Sequence, residues 1–227
     1  MARTFLIHGY VEDPTIFDKL VPYLPAAEFV RINLADEFER WQPVGLVNVQ
    51  RVANYIADCY EIEATDVIIG HSMGGWIAIH IKQLTNAIVI QVASWTDQRK
   101  IRLPTHNLRL LKMLLYSGIT QSRPLLNYFQ KQYPFQESAD LYCRLMNGMR
   151  TMSRRYLYQQ LQTLFAPVSP LTVSPELRIH ARRDSIVARP SEPFVEVPGD
   201  HFGLVFYPEQ VAEAILTVDL SDLFDRL

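Results

Sequence analysis

The stretch Val67–Trp76, "VIIGHSMGGW", places a serine between two glycines directly after a run of aliphatic residues. The run is too short for a helix and is typical of a strand buried on both faces of a parallel sheet. The residues that follow, "WIAIHIKQL", predict a helix. Ser72 therefore stands at a strand-to-helix turn, where Gly-x-Ser-x-Gly is typical of a serine nucleophile held in strained dihedral angles. A tight turn that needs only small residues is the simpler alternative.

The segments on either side of this turn alternate between short apolar runs and amphipathic patterns. This alternation is typical of stacked βαβ units and a parallel sheet. The predicted fold class is α/β, with a mostly parallel central sheet of about six strands flanked by helices. Strands are predicted at "TFLIHG", "EFVRINL", "AIVIQVA", "ELRIHARRD" and "FVEVPGD", and helices at "PTIFDKLVPYL", "GLVNVQRVANYIADCY" and "YPEQVAEAILTV".

The pattern changes between Asp97 and about Pro175, where helix-like segments rich in Leu and Tyr replace the strands. The last of these segments is predicted to be interrupted near Asn147-Gly148. The region holds eleven Lys or Arg against three acids, a charge of +8, although the whole chain carries −2. The sequence therefore predicts a core formed by residues 1–96 and 176–227, with a basic helical insertion at residues 97–175.

Composition limits the classes of function. With 48% hydrophobic residues in 227, the chain can bury an ample core. The start "MARTFLIHGY" lacks the pattern of a secretory signal or a membrane span, so a cytoplasmic protein is expected. Cys59 and Cys143 lack disulfide or zinc spacing and are expected to be buried or neutral thiols. No nucleotide-binding glycine motif and no nucleic-acid motif occurs, so no cofactor, no metal and no nucleic-acid partner is expected. The oligomeric state is left open.

A serine nucleophile needs a histidine that accepts its proton. Of the six histidines, His201 in "VPGDHFG" follows the last predicted strand, at the sheet edge where the serine lies, and is the predicted base. His71, His80 and His180 fall at the elbow, in a helix and in a strand, where packing is expected. His106, in the basic insertion, is a weaker alternative.

An acid must orient this histidine, and the order serine, acid, histidine restricts the search to the chain between them. Asp184 ends the predicted strand in "RIHARRDSIV" and is the predicted acid. Asp97, just beyond the preceding strand, is the alternative acid. Asp200 adjoins His201 too closely to reach its ring.

Two backbone N–H groups are needed for the oxyanion that forms during acyl transfer. His8-Gly9-Tyr10 follows the first predicted strand and should lie beside the serine, so the N–H groups of Tyr10 and Met73 are the predicted donors. An ordinary turn after a strand is the alternative for this segment. The residues predicted to support the two motifs are His8, Gly9, Gly70, His71 and Gly74.

Four motifs in order, "LIHGY", "GHSMGGW", "RRDSIV" and "PGDHF", resemble the oxyanion-loop, elbow, acid and histidine motifs of the α/β-hydrolase superfamily, and together they span nearly the whole chain. The resemblance implies the α/β-hydrolase fold and makes residues 97–175 a helical cap over the active site. Two departures are expected. The chain starts at what would be the family's third strand, and the 17 residues from Asp184 to His201 leave no room for a helix. "VPGDHF" also resembles thioesterase domains of polyketide synthases, in some of which the acid follows an earlier strand.

The predicted function is hydrolysis of a carboxylic ester or thioester of a small or acyl-chain substrate through an acyl-enzyme. The Leu-, Met- and Tyr-rich insertion either lines a pocket for an apolar acyl or aryl group or only packs on the core. Its charge predicts either attraction of an anionic substrate or lipid surface, or simply a solvated face. The alternatives are a non-catalytic binding protein of this fold, and a lyase or cofactor-free haloperoxidase with the same residues.

Overall fold

The computed structural model describes residues 3–25 and 27–218, and its centre is a six-stranded sheet in the order β2-β1-β3-β4-β5-β6. Every neighbouring pair is parallel, which confirms the predicted sheet. The strands are β1 Arg3–Ile7, β2 Glu28–Ile32, β3 Val67–His71, β4 Ile88–Val92, β5 Leu177–Ala181 and β6 Val195–Val197.

Helices cover both faces of this sheet. The longest in the core, α2 and α3, pack on one face, and α9 packs on the other. The central strands β3 and β4 are buried along their whole length, as their continuous apolar runs predict. The α-helices are α1 Leu34–Trp41, α2 Val49–Tyr60, α3 Met73–Thr85, α4 Leu108–Tyr116, α5 Arg123–Gln132, α6 Ala139–Met149, α7 Arg154–Phe165, α8 Gly203–Phe206 and α9 Pro208–Leu216.

The helix predicted at "PTIFDKLVPYL" is wrong in kind, because this segment forms two short 3-10 helices, Pro14–Phe17 and Val21–Tyr23. Pro22 has no N–H group and so cannot continue an α-helical hydrogen-bond ladder. Helix α1 was not predicted. It begins at an Asn33 cap, whose side chain accepts the N–H of Ala35 at 3.1 Å.

Helices α4 to α7 lie between β4 and β5, in the segment predicted as a helical insertion. The interruption predicted near Asn147-Gly148 falls between Met149 and Arg154, just beyond these two residues, because α6 continues through Gly148. Helix α7 contacts the core directly, where Trp76 donates its indole N–H to the carbonyl of Thr163 at 3.1 Å. That the segment acts as a cap stays a prediction.

The connection between β5 and β6 contains no helix, as expected from the short spacing of Asp184 and His201. The two cysteines, expected to be buried or neutral thiols, are both free, with Cys59 exposed and Cys143 half-buried. In the part of the chain that the structure describes, we find no helix with the length and apolar character that a membrane crossing requires.

Candidate active site

Ser72 lies between the end of β3 and the start of α3, with φ 53° and ψ −119°. Non-glycine residues rarely adopt a positive φ, so this backbone is strained. The neighbouring glycines make the turn possible. A Cβ atom at Gly74 would lie 1.9 Å from the carbonyl oxygen of Ile7, and one at Gly70 would lie 2.5 Å from the backbone nitrogen of Gly75. The turn is therefore the sharp strand-to-helix elbow that the sequence predicts.

The structure brings Ser72, His201 and Asp184 into one chain of hydrogen bonds. The distance from Ser72 Oγ to His201 Nε2 is 3.0 Å, and the distance from His201 Nδ1 to Asp184 Oδ2 is 2.8 Å. All three side chains are buried. A carboxylate only accepts hydrogen bonds, so the proton belongs on Nδ1 and leaves Nε2 free to accept the serine hydroxyl. This is the tautomer that a general base requires.

The carboxylate of Asp184 is held from its other side by backbone amides. Its Oδ1 atom accepts the N–H groups of Ile186 and Val187, each at 2.8 Å. Burial acts to raise the pKa of Asp184, but His201 and these amides outweigh it, so the pKa lies below its ordinary value. Burial likewise acts to lower the pKa of His201, but Asp184, followed by Glu12 and Asp200, outweighs it and the pKa is raised.

The loop after β1 runs against the serine. A Cβ atom at Gly9 would lie 2.9 Å from the Cβ of Ser72, so only glycine allows this approach. This approach brings both predicted oxyanion donors to the same place. Tyr10 is the next residue along the loop, and Met73 is the first residue of α3. Within residues 3–25 and 27–218, neither N–H group has a hydrogen-bond acceptor. Both donors are thus unused, and one sits at the positive end of a helix dipole.

His8 holds the same loop in place through two hydrogen bonds. Its Nε2 atom accepts the N–H of Leu34 at 3.1 Å, so its Nδ1 atom carries the proton and donates to the carbonyl of Gly9 at 2.9 Å. Burial lowers its pKa, which keeps the ring neutral. His8 therefore fixes the start of the loop against α1.

A second buried carboxylate and imidazole, Glu12 and His71, lie directly behind His201. Glu12 Oε2 accepts the N–H of Gly9 at 2.6 Å and lies 2.9 Å from His71 Nδ1, and His71 Nε2 donates to the carbonyl oxygen of His201 at 3.0 Å. Burial acts to raise the pKa of Glu12, but the two histidines outweigh it and the pKa is lowered. We call these two residues the Glu12–His71 pair. It joins the loop of Gly9 to the loop of His201.

Glu12 was not among the predicted site residues, and His71 was predicted only to support the elbow. Nothing in "HGYVEDP" distinguishes this glutamate from a surface acid. Ligand atoms of Glu12, His71 and His201 all lie within 4.8 Å of one another, a spacing that a metal ion could use. Each of these imidazole nitrogens already has a hydrogen-bond partner, so hydrogen bonding explains the cluster.

The alternative acid and the alternative base lie elsewhere. The carboxylate of Asp97 caps a short 3-10 helix and binds Arg99 through the backbone N–H and Nε, each at 3.0 Å. His106 donates to the carbonyl of Ile101 and stacks on Phe165. Neither is hydrogen-bonded to Ser72 or His201. Asp184, not Asp97, is the carboxylate that contacts the imidazole of His201.

Asp200 is buried beside His201 but faces the helical segment. It accepts the hydroxyl of Tyr133 at 3.0 Å, the hydroxyl of Ser138 and the N–H of Phe202. Tyr133 and Ser138 lie in the link between α5 and α6. This carboxylate therefore ties the loop of the predicted base to the insertion.

In this parallel sheet, the serine at the elbow is hydrogen-bonded to a histidine that follows the last strand. Proteins with the α/β-hydrolase fold have this arrangement. A family model described as "Alpha/beta hydrolase family" matches residues 5–214, so the chain belongs to the α/β hydrolase family. Membership of this family supports a hydrolase activity. The comparison with curated proteins found no match.

Solved structures of this fold resemble the chain at low sequence identity. The enol-lactonase from Burkholderia xenovorans LB400 has a TM-score of 0.72 and 12% identity over 96% of this chain and 90% of that one. The bromoperoxidase from Bacillus anthracis has a TM-score of 0.69 and 13% identity over 96% and 91% of the two chains. The thermophilic esterase from Thermogutta terrifontis has a TM-score of 0.66 and 13% identity over 98% and 90%. At such identities the likeness shows a shared fold.

Proposed function

We propose that this protein is a serine hydrolase that cleaves a carboxylic ester or thioester through an acyl-enzyme intermediate. The observation that supports this most directly is the hydrogen-bond chain from Ser72 Oγ to His201 Nε2 and from His201 Nδ1 to Asp184 Oδ2, at 3.0 and 2.8 Å. A scaffold that only bound ligands would have no need for all three groups in this order.

In the proposed first half-reaction, Ser72 Oγ attacks the carbonyl carbon while His201 Nε2 takes the hydroxyl proton. The carbonyl oxygen becomes an oxyanion that accepts hydrogen bonds from the N–H groups of Tyr10 and Met73. The intermediate then collapses, the C–O or C–S bond breaks, and the imidazolium of His201 returns its proton to the leaving alcohol or thiol.

In the second half-reaction, a water molecule takes the place of the leaving group. His201 accepts a proton from this water as its oxygen attacks the acyl carbon. The second tetrahedral intermediate expels Ser72 Oγ, which regains a proton from His201, and the carboxylic acid leaves. Asp184 keeps the ring in one tautomer throughout and stabilises the imidazolium each time it forms.

The burial of Ser72 and His201 supports the proposal that residues 97–175 form a cap over the active site. Ser72 is only 6% exposed and His201 3%. Contacts from the segment reach the core beside the centre, through Thr163 to Trp76 and through Tyr133 to Asp200. Water exclusion by such a cover strengthens the electrostatic contacts inside it.

A fluorophosphonate probe tests the nucleophile. We expect wild type to be labelled, the Ser72→Ala variant to lose the label, and a Ser117→Ala variant, altered at the end of α4, to label like wild type. Equal labelling of Ser72→Ala and wild type would overturn the assignment of the nucleophile.

Paired substrates test the ester and thioester alternatives. Alkyl esters and thioesters of the same acids, over a range of chain lengths, give the preference directly as a ratio of kcat/KM.

Acyl-CoA and a neutral thioester of the same acyl group, compared across a salt series, test whether the +8 charge of residues 97–175 attracts an anionic substrate. If their ratio does not change with salt, the charge has no such role.

A further inference from the structure

Helix α7 carries two polar groups that are buried and unused. Among the described residues, neither the hydroxyl of Tyr156 nor the Nε2 atom of Gln160 has a hydrogen-bond partner. Tyr156 is 9% exposed and Gln160 is fully buried. Residues four apart lie on the same face of a helix, one turn from each other. Buried polar groups in folded proteins are nearly always paired, so two orphan groups on one face require an explanation.

The orientation of the Gln160 amide is set by the loop after β1. The N–H of Val11 can only donate, and it lies 3.0 Å from Gln160 Oε1, so the oxygen must face the loop and Nε2 must face away from it. Val11 directly follows Tyr10, the predicted oxyanion donor. The side-chain amide of Gln160 therefore contacts the loop one residue beyond the predicted oxyanion donor.

Val11 itself is strained at this contact. Its φ is 53°, in the left-handed region that β-branched residues almost never enter. Such a backbone is strained and persists only where neighbouring groups hold it. The hydrogen bond to buried Gln160 is one contact that holds it.

Tyr156 lies on the same side of α7. Its ring packs against Phe38 at 5.7 Å between centroids, and with Glu12 and Gln159 it lines a cleft of ≈ 540 Å³ between α1, the loop after β1 and the start of α7. Burial, followed by the charge of Asp36, raises the pKa of Tyr156. The hydroxyl therefore keeps its proton and is available as a donor.

Two unused donors favour a ligand atom that accepts hydrogen bonds. A plain hydrocarbon chain would leave both donors unpaired, whereas each hydrogen bond gained by a ligand oxygen strengthens binding by about ten-fold. An oxygen atom on the substrate would satisfy them.

We propose that Tyr156 and Gln160 form a polar subsite beside Tyr10 that binds an oxygen acceptor of the substrate close to the scissile carbonyl. This inference rests on the proposed ester or thioester hydrolysis and narrows it to a substrate class. The substrate carries a carbonyl, ether or hydroxyl oxygen near the bond that is cleaved, either in its acyl part or in its alcohol part.

The test compares matched esters on wild type and on Tyr156→Phe, which removes only the unpaired hydroxyl. One arm uses p-nitrophenyl hexanoate against p-nitrophenyl oxohexanoates with the ketone at the fourth or fifth carbon. The other arm uses butyl hexanoate against methoxyethyl hexanoate. In at least one arm we expect wild type to prefer the oxygenated ester, and the variant to reduce this preference about ten-fold. The arm that responds identifies the part of the substrate that carries the oxygen.

Tyr158→Phe is the matched control, because Tyr158 lies on the same helix but packs against Tyr116, and we expect it to keep the wild-type preference. The melting temperature supplies a second measurement. Removal of an unpaired buried hydroxyl should not lower it, whereas loss of a structural hydrogen bond would.

Equal effects of Tyr156→Phe on plain and oxygenated esters in both arms, or no effect in either, would overturn the subsite. A fall in melting temperature together with equal effects would assign the hydroxyl to an ordered water instead, and would also overturn it. If wild type cleaves none of the esters and is not labelled by the fluorophosphonate, the proposed function fails, and this result is distinct from failure of the subsite.

Gln160→Met tests the other half of the subsite, since it removes both the oxygen that holds Val11 and the free Nε2 donor. We expect kcat to fall for plain and oxygenated esters alike, because the oxyanion loop loses a support, and the oxygen preference to fall in addition. An unchanged preference in this variant would remove Gln160 from the subsite. Circular dichroism confirms that the variant is folded.

Discussion

Two carboxylate and imidazole pairs lie side by side in this protein, and they differ in what the second ring nitrogen meets. Asp184 holds His201, whose Nε2 atom faces the hydroxyl of Ser72. Glu12 holds His71, whose Nε2 atom faces a backbone carbonyl. The two rings are 5.0 Å apart between centroids, and both pairs are buried.

A buried acid hydrogen-bonded to a histidine is therefore not sufficient to make a catalytic site. The free nitrogen of His201 can accept a proton from the serine, because no other donor occupies it. The Nε2 atom of His71 is committed to the carbonyl of His201 as a donor, so it cannot act as a base. The same chemistry thus gives a proposed proton acceptor in one pair and a support for the backbone in the other.

The largest expected effect comes from a change in the first pair, Asp184 and His201. Asp184→Asn keeps the shape of the side chain but removes the charge and can force the wrong tautomer of His201. We expect kcat for a p-nitrophenyl ester to fall by about 10⁴-fold, with a much smaller change in KM. A fall of less than ten-fold would show that the first pair does not work as a base and its orienting acid.

A smaller effect is expected from the second pair. Glu12→Gln keeps an acceptor for the N–H of Gly9 but removes the negative charge behind His201. We expect kcat to fall about ten- to a hundred-fold, the typical value of a hydrogen bond to a charged group. Glu213→Gln, an exposed change on α9, is the control and should behave as wild type.

The pH profile distinguishes an electrostatic role of Glu12 from a merely structural one. Glu12, like Asp184 and Asp200, raises the pKa of His201, whereas burial lowers the pKa of the neighbouring His180. The base works only when unprotonated, so loss of the Glu12 charge should move the acid limb of kcat/KM to lower pH. If the acid limb of the Glu12→Gln variant lies at the same pH as that of wild type, the role of Glu12 is limited to holding the backbone in place.

The dependence of stability on pH compares the two pairs in the absence of substrate. The lowered pKa values of Asp184 and Glu12 stabilise the fold above their ordinary values of 3.8 and 4.5, and this stabilisation is lost as the pH falls through the folded values. The raised pKa of His201 stabilises the fold below 6.5 and is lost as the pH rises through its folded value. We expect the melting temperature to fall by a few °C on either side of this window, and Asp184→Asn to flatten both slopes.

The smallest effect is expected from Asp97→Asn. Its carboxylate binds exposed Arg99, and such a surface pair contributes little. We expect kcat/KM to stay within about two-fold of wild type. A loss comparable to that of Asp184→Asn would instead return Asp97 to the role of the acid.

The sequence predicted the parts of the site that follow strands and carry a local pattern. Ser72 has glycines that the turn requires, and Asp184 and His201 each come directly after an apolar run. Residues at the ends of parallel strands meet at one edge, so three separated motifs predict one place. The structure brings these three side chains together, and their catalytic role stays a prediction.

Other parts could not be predicted, because only the tertiary structure gives them meaning. Glu12 meets His71 across 59 positions, and Gln160 meets Val11 across 149. Neither has a neighbouring pattern that distinguishes it from a solvated side chain. Helix α1 was missed although Leu34, Phe38 and Trp41 have helical spacing, because the helix spans only eight residues. The 3-10 segments near Pro14 and Pro22 show the opposite case, in which an apolar pattern is helical but proline limits its length.

The direct connection between β5 and β6 has a consequence for how the site is assembled as the chain folds. Asp184 and His201 are joined by a single stretch without a helix and contact each other over 17 positions, whereas the serine is 129 positions away from the histidine. Contacts that are close in sequence cost less chain entropy to form. The contact between Asp184 and His201 can therefore form at a smaller cost in chain entropy than the contact between His201 and Ser72.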